Sequence, residues 1–136
     1  MKSNKSLGTL WEYQFFTKAL ELGHGLYIPA GDNLPVDCIL SSEGSLKRVQ
    51  VKGTTKNQED SKGFGRYKII AGTGHSSKKP IDCREVDILA VYLKNADTWY
   101  IIPCKALDGK VSLWFYPDNP ESTAKFEKYR EAWDLI

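Results

Sequence analysis

The fold of this chain is indicated most clearly by residues 37–52, which read DCILSSEGSLKRVQVK. Two runs rich in β-forming residues, 36–40 and 46–52, flank a short polar segment. Within that segment Glu43 and Gly44 have the residue types of a two-residue turn. The stretch therefore predicts a β-hairpin with Glu43 and Gly44 at its tip.

The predicted register brings polar side chains together near the open end of the hairpin. Counting back from the turn, Asp37 faces Gln50 on the opposite strand. Because side chains alternate between the two faces of a strand, Arg48, Gln50 and Lys52 share one side. A carboxylate, an amide and an ammonium group on one patch are hard to explain as packing. We interpret the patch as a metal-assisted hydrolytic site.

A helix predicted over residues 10–22 adds a further candidate, Glu12. Steps of three and four residues from Glu12 reach apolar positions at Phe15, Phe16 and Ala19, which are typical of the core-facing side of an amphipathic helix. Burying an unpaired carboxylate is costly unless a cation compensates it. Glu12 is therefore either a metal ligand or a partly solvated residue of the first helical turn, stabilised by the helix dipole.

These residues resemble the PD-(D/E)XK nucleases. The signature of that family is a helix Glu, an Asp that opens one strand, and (D/E)-x-K on the next strand. Glu12, Asp37 and Gln50-Val51-Lys52 match these positions. The resemblance is strongest to the small branch that holds intron-encoded homing endonucleases and Holliday-junction resolvases, and it extends over residues 8–12, 29–37, 85–92, 99–103 and 129–133.

The resemblance implies an endonuclease that hydrolyses phosphodiester bonds of double-stranded or branched DNA. Glu12, Asp37, Gln50 and the Val51 carbonyl would hold Mg²⁺, with Mn²⁺ as a substitute, because these cations prefer oxygen ligands. Lys52 would orient the attacking water or neutralise charge at the phosphate. The resemblance also implies a homodimer or higher homo-oligomer, since two DNA strands would be cut by two subunits.

Gln50 departs from the family signature, in which an acidic residue usually stands at this position. An amide oxygen still coordinates a hard cation but brings no charge. An alternative therefore stays open, in which the chain is a catalytically silent nucleic-acid-binding module that retains the nuclease fold.

Basic residues are concentrated after the hairpin, although the net charge of the chain is only +2. Such a one-sided basic surface is expected where a protein contacts a phosphate backbone, whereas the alternative is an ordinary solvated loop. The candidates for nucleic-acid binding are Arg48, Lys56, Lys62, Arg66, Lys68, Lys78 and Lys79.

The rest of the sequence indicates one domain over residues 1–136, since 41% of the residues are hydrophobic and can form a core. Further strands are predicted at residues 67–71, 86–93, 98–103 and 111–116. A second helix is predicted from Ser122 or Thr123, with Phe126, Tyr129 and Trp133 on one stripe. The predicted fold is α/β in the broad sense: an α+β, restriction-endonuclease-like core in which a mixed β-sheet is flanked by helices.

Composition also bears on location. No apolar run approaches the roughly 18 residues that a membrane span needs. Cys38, Cys83 and Cys104 are odd in number and widely spaced, which favours reduced core thiols over disulfides or a zinc site. We therefore expect a cytoplasmic protein without a membrane partner.

Overall fold

The computed structural model describes residues 3–31, 33–59, 63–74 and 77–136. Its single α-helix within these ranges is α1 (Asn4–Glu21). The strands are β1 (Gly25–Tyr27), β2 (Cys38–Ser42), β3 (Ser45–Thr54), β4 (Gln58–Glu59), β5 (Gly65–Ile70), β6 (Ile88–Leu93), β7 (Thr98–Pro103) and β8 (Ser112–Phe115).

Two sheets organise these strands. A five-stranded sheet has the order β1-β2-β3-β6-β7, in which β3 and β6 are parallel and the other neighbours are antiparallel. The predicted mixed sheet is thus confirmed. A second sheet with the order β4-β5-β8 was not predicted, although strands near two of its three positions were. It brings β5 close to β3, and residues of both strands line one cleft.

The hairpin has the predicted register. Ser42 pairs with Ser45 and Ser41 with Leu46, and the ladder ends at the pair Cys38 and Val49. At the tip, Glu43 and Gly44 both have positive φ, +50° and +84°. Two such residues in a row match the twist of the strands they connect, which explains why this short turn fixes the register.

The first helix begins earlier than predicted. The Ser3 side chain accepts a hydrogen bond from the Ser6 amide at 3.1 Å and caps a helix that starts at Asn4. Glu12 consequently lies in the middle of α1, two turns from its N-terminus. The alternative that Glu12 is a first-turn residue stabilised by the helix dipole is therefore wrong. Phe15 and Ala19 are fully buried, as the apolar spacing predicted.

The predicted C-terminal helix is wrong. Residues 122–136 form two short 3₁₀ turns, Glu127–Tyr129 and Trp133–Leu135. The segment follows the outer edge of β7: the Trp99 amide donates to Glu131 Oε2 at 2.7 Å, and the Glu131 amide donates to the Trp99 carbonyl at 2.8 Å. An exposed strand edge offers unpaired backbone groups, and pairing with them competes with the local helix preference. Among the described residues, one α-helix therefore flanks the sheet.

Side chains pack on both faces of the five-stranded sheet. The face that α1 covers is filled by Trp11, Phe15, Val49 and Ile101 together with their neighbours, and the other face packs against β5 and β8. All six residues of β6 are buried, as expected for a strand covered on both faces. The site residues of β3 thus lie on a strand that pairs directly with the fully buried β6.

The cysteine prediction is wrong for two of the three residues. Cys83 and Cys104 form a disulfide with a Cα–Cα distance of 5.6 Å, whereas Cys38 is free and buried as predicted. Cys83 precedes β6 and Cys104 follows β7, and these antiparallel strands bring the two positions to one end of the sheet. Sequence spacing does not reveal this proximity, because it depends on strand pairing.

No helix in the described part of the chain is long and apolar enough to cross a membrane.

Candidate active site

The predicted catalytic residues meet in one cleft of about 550 Å³. The helix α1 contributes Glu12, the segment before β2 contributes Asp37, and β3 contributes Gln50, Val51 and Lys52. The opposite side of the cleft is formed by residues 68–70 of β5. Elements distant in sequence therefore bring together all five residues predicted for catalysis and metal binding.

Asp37 is held in place by β3. Its backbone amide donates to the Val49 carbonyl at 2.9 Å, and its Oδ2 accepts a hydrogen bond from the Val51 amide at 2.7 Å. The β2–β3 ladder stops at the pair Cys38 and Val49, so Asp37 lies just beyond its end. Because the N–H and C=O of a strand residue point to the same side, the Val51 carbonyl also faces the Asp37 side of β3. A carboxylate and a main-chain oxygen are thus directed to the same place.

Gln50 has an unusual environment. Its amide oxygen Oε1 is buried and has no hydrogen-bond partner. Leaving such a group unpaired costs about 1–3 kcal/mol, so buried acceptors of this kind are rare in native structures. The atom lies in a residue that lines the same cleft as Glu12 and Asp37. Gln50 Oε1 is thus a potential metal ligand that has no hydrogen-bond partner.

The two carboxyl groups have pKa values above their ordinary range. Burial is the largest cause of the raised pKa of Glu12, followed by the charge of Asp37 and a hydrogen bond shared with it. Burial also raises the pKa of Asp37, although the Val51 amide, the Lys52 charge and Glu12 act in the opposite direction. The charge of Lys52 lowers the pKa of both carboxyl groups, but burial outweighs this effect in each of them.

The donor set fits a hard divalent cation. Glu12 and Asp37 offer carboxylate oxygens, Gln50 an amide oxygen and Val51 a carbonyl, all ligand types that Mg²⁺ and Mn²⁺ accept. Within the described ranges, no three His, Cys, Asp or Glu side chains cluster as a metal site, so a cation here would depend on Gln50 and the main chain. Burial raises the pKa of the neighbouring Cys38 to about 12, which keeps it a neutral thiol.

The predicted nucleic-acid-binding residues are distributed unevenly. Lys56 and Lys68 line the cleft, and Arg66 lies on β5 two residues from Lys68. The Lys78 ammonium donates to the Gly74 carbonyl at 2.6 Å, and Lys79 is exposed in the same loop. Lys62 lies outside the described residues.

Arg48 is directed elsewhere. Its Nε and Nη2 donate to the two carboxylate oxygens of Asp87 at 3.0 and 2.9 Å, and its Nη1 donates to the Arg84 carbonyl at 2.6 Å. The guanidinium holds the pKa of Asp87 below its usual range. Arg48 lines a separate, largely apolar groove together with Val36. The structure therefore does not bring Arg48 into the cleft with Gln50 and Lys52.

The sequence analysis missed the contact between Trp11 and Gly53. A Cβ atom at Gly53 would lie 2.7 Å from Cγ and Cδ1 of Trp11, so the indole lies directly on the glycine. Trp11 precedes Glu12 on α1, and Gly53 follows Lys52 on β3. A glycine inside a strand is a known signal of close approach by another group. This contact sets the spacing between the two elements that carry the site.

Comparison with known proteins agrees with this geometry. Residues 2–136 match the sequence model of the PD-(D/E)XK endonucleases. The structure is similar to that of a bacterial homing endonuclease, with a TM-score of 0.78, 23% identity and coverage of 99% of this chain and 93% of the other. It is also similar to a Holliday junction resolvase from Archaeoglobus fulgidus, with a TM-score of 0.51, 16% identity and coverage of 82% of this chain and 84% of the other. No curated protein matches the chain in sequence. The family match over residues 2–136 shows that this chain belongs to the PD-(D/E)XK endonuclease family.

Proposed function

We propose that this protein is a metal-dependent DNA endonuclease that hydrolyses phosphodiester bonds. The observation that supports this most strongly is the buried, unpartnered Oε1 of Gln50 in the cleft of Glu12 and Asp37. Both carboxyl groups have raised pKa values, and a divalent cation would relieve their repulsion and give the amide oxygen a partner.

Each residue of the chain has a separate task in this proposal. Glu12, Asp37, Gln50 and the Val51 carbonyl hold the cation, Mg²⁺ with Mn²⁺ as a substitute. When bound, the cation supplies charge neutralisation at the scissile phosphate and makes a water molecule easier to deprotonate. The Lys52 ammonium orients this water or neutralises the negative charge that develops on the phosphate.

The substrate is double-stranded or branched DNA, as in the proteins that the chain resembles in structure. Lys56 and Lys68 line the cleft and would contact phosphates next to the scissile bond, with Arg66, Lys78 and Lys79 further out. A protein with one such site per chain cuts two strands most directly as a homodimer or higher homo-oligomer.

One observation favours a second candidate, a catalytically silent nucleic-acid-binding module. The third acidic position of the family signature is occupied by Gln50, so the site has one negative charge fewer than the usual pattern. A neutral ligand weakens the attraction for a divalent cation. In this alternative the cleft binds DNA but does not cut it.

Nicking of supercoiled plasmid and of synthetic four-way junctions distinguishes the two candidates. The endonuclease converts supercoiled plasmid to open-circular or linear DNA with Mg²⁺ and leaves it intact with EDTA. The silent module shifts the DNA in a binding assay but produces no nicked product at any Mg²⁺ or Mn²⁺ concentration. The ratio of plasmid to junction cleavage also separates a junction-resolving role from a homing or restriction role.

A further inference from the structure

Two cations on β5 are held against one aromatic ring next to the cleft. Arg66 and Lys68 alternate with buried residues on β5 and therefore point to its outer face. Trp114 on β8 is directly opposite Lys68 in the ladder. The Arg66 guanidinium carbon lies 4.7 Å from the Trp114 ring centroid, and the Lys68 ammonium lies 5.6 Å from it.

No carboxylate in the described part of the chain pairs with either of these two cations. Among the residues that the structure describes, neither Arg66 nor Lys68 forms an ion pair. Glu59 and Asp118 both lie next to Gly65, and neither forms an ion pair with Arg66 or Lys68. Arg66 donates one hydrogen bond, to Gln58 Oε1 at 3.1 Å, and its Nε is buried without a partner.

This arrangement differs from the ion pair of Arg48. A carboxylate such as Asp87 orients a guanidinium and also neutralises it, so that little net attraction for a second anion is left. An aromatic ring orients a cation through its quadrupole and leaves the full charge in place. Arg66 and Lys68 are therefore preorganised positive charges with no counter-ion among the residues that the structure describes.

We infer that Arg66, Lys68 and Trp114 form a docking surface for the phosphate backbone of the DNA duplex that leads into the cleft. Lys68 belongs both to this surface and to the cleft wall, so a strand that contacts the surface continues toward Lys52. Trp114 supports the two cations and does not stack on a base, because its ring is already in contact with them. The inference rests on the proposed function and names the surface by which the substrate is held.

The salt dependence of DNA binding tests this inference without any cleavage step. Affinity for a labelled duplex is measured in EDTA between about 50 and 200 mM salt for the wild type, Arg66→Gln and Lys68→Gln. Each substitution should reduce the slope of log affinity against log salt by about 0.9, the change expected when the protein neutralises one phosphate fewer. Lys105→Gln is the matched control: Lys105 is exposed and lies outside the cleft, so the slope should not change.

Trp114→Leu tests the role of the ring separately. It keeps both cations, so the salt slope should stay as in the wild type while duplex affinity falls several-fold. A larger loss for single-stranded than for duplex DNA would instead show base stacking and overturn the assigned role of Trp114. If Trp114→Leu fails to fold, Arg66→Gln and Lys68→Gln still decide the surface, because they leave the ring in place.

The outcomes separate this inference from the proposed function. A wild-type protein that nicks plasmid while both cation variants keep the wild-type slope overturns the docking surface and leaves the endonuclease proposal intact. A wild-type protein that neither binds nor cuts DNA overturns both.

Discussion

Replacing Gly53 with Ala tests how the spacing between α1 and β3 is set. The added Cβ would lie 2.7 Å from Cγ and Cδ1 of Trp11 and 2.9 Å from Cδ2, whereas ordinary contact begins at 3.4 Å. The indole must therefore retreat by roughly 0.7 Å. Trp11 is 4% exposed and its ring packs against Tyr92 at a centroid distance of 5.6 Å, so the retreat disturbs this contact. We expect α1 to move with the indole and to carry Glu12 away from Lys52.

The expected size of the effect follows from two opposing terms. Overpacking a core position costs about 1–3 kcal/mol, whereas replacing glycine by alanine restricts the unfolded chain and returns about 0.4–1 kcal/mol. The difference is a net cost of about 0 to 2.6 kcal/mol. For a chain of 136 residues, the melting temperature should fall by up to about 9 °C.

The assay combines thermal denaturation with a metal titration. Gly53→Ala should show a lower melting temperature in EDTA and a smaller rise on addition of Mg²⁺ than the wild type, because displaced Glu12 binds the cation less well. Gly8→Ala is the matched control: a Cβ at Gly8 meets nothing within 4 Å, and alanine in a helix should stabilise the protein by up to about 1 kcal/mol. If Gly53→Ala melts like the wild type and responds equally to Mg²⁺, the Trp11–Gly53 contact does not set the spacing.

Three further predictions concern charged and polar residues. The raised pKa of Glu12 means that its ionised form is disfavoured in the folded protein, so its contribution to stability is present below pH ~4.5 and is lost as the pH rises through the folded pKa. Glu12→Gln should therefore melt at or above the wild-type temperature in EDTA at neutral pH, and the difference should close in acid. A clearly lower melting temperature would mean that Glu12 has a structural role. Gln50→Glu should cleave at lower Mg²⁺ concentrations than the wild type and Gln50→Leu only at higher ones, so three superimposable titrations of cleavage rate would show that Gln50 does not touch the metal. The Arg48 guanidinium lowers the pKa of Asp87, so the stability that this ion pair adds is present above the ordinary pKa of 3.8 and is lost as the pH falls through the folded pKa. Asp87→Asn should melt below the wild type at neutral pH but cleave plasmid normally. A loss of cleavage would place Arg48 in the catalytic machinery.

The parts of the fold that were predicted correctly are those fixed by local sequence. The hairpin register follows from Glu43 and Gly44, since two residues that tolerate positive φ select the turn. The strand Thr98–Pro103 has the predicted bounds because its apolar run ends at a proline and begins after a polar turn. The family signature then selected which polar residues of these elements are candidates for the site.

The errors occurred where long-range contacts override local preference. The C-terminal segment has helical spacing, yet Glu131 pairs with Trp99 on the edge of β7 and Trp133 stacks on Phe15. Cys83 and Cys104 meet only because β6 and β7 pair. Arg48 was grouped with Gln50 by strand alternation, but a bidentate carboxylate partner that comes from 39 residues away directs it elsewhere.

Plasmid cleavage by the Lys52→Ala variant is the most direct test of the proposed active site. Lys52 acts on charge that develops during the reaction, whereas other basic residues carry most of the ground-state affinity for DNA. With Mg²⁺ and supercoiled plasmid, the wild type and the control variant Lys105→Ala should produce nicked DNA. Lys52→Ala should produce none and should bind DNA within several-fold of the wild type. A Lys52→Ala protein that nicks plasmid at the wild-type rate would contradict the proposed active site.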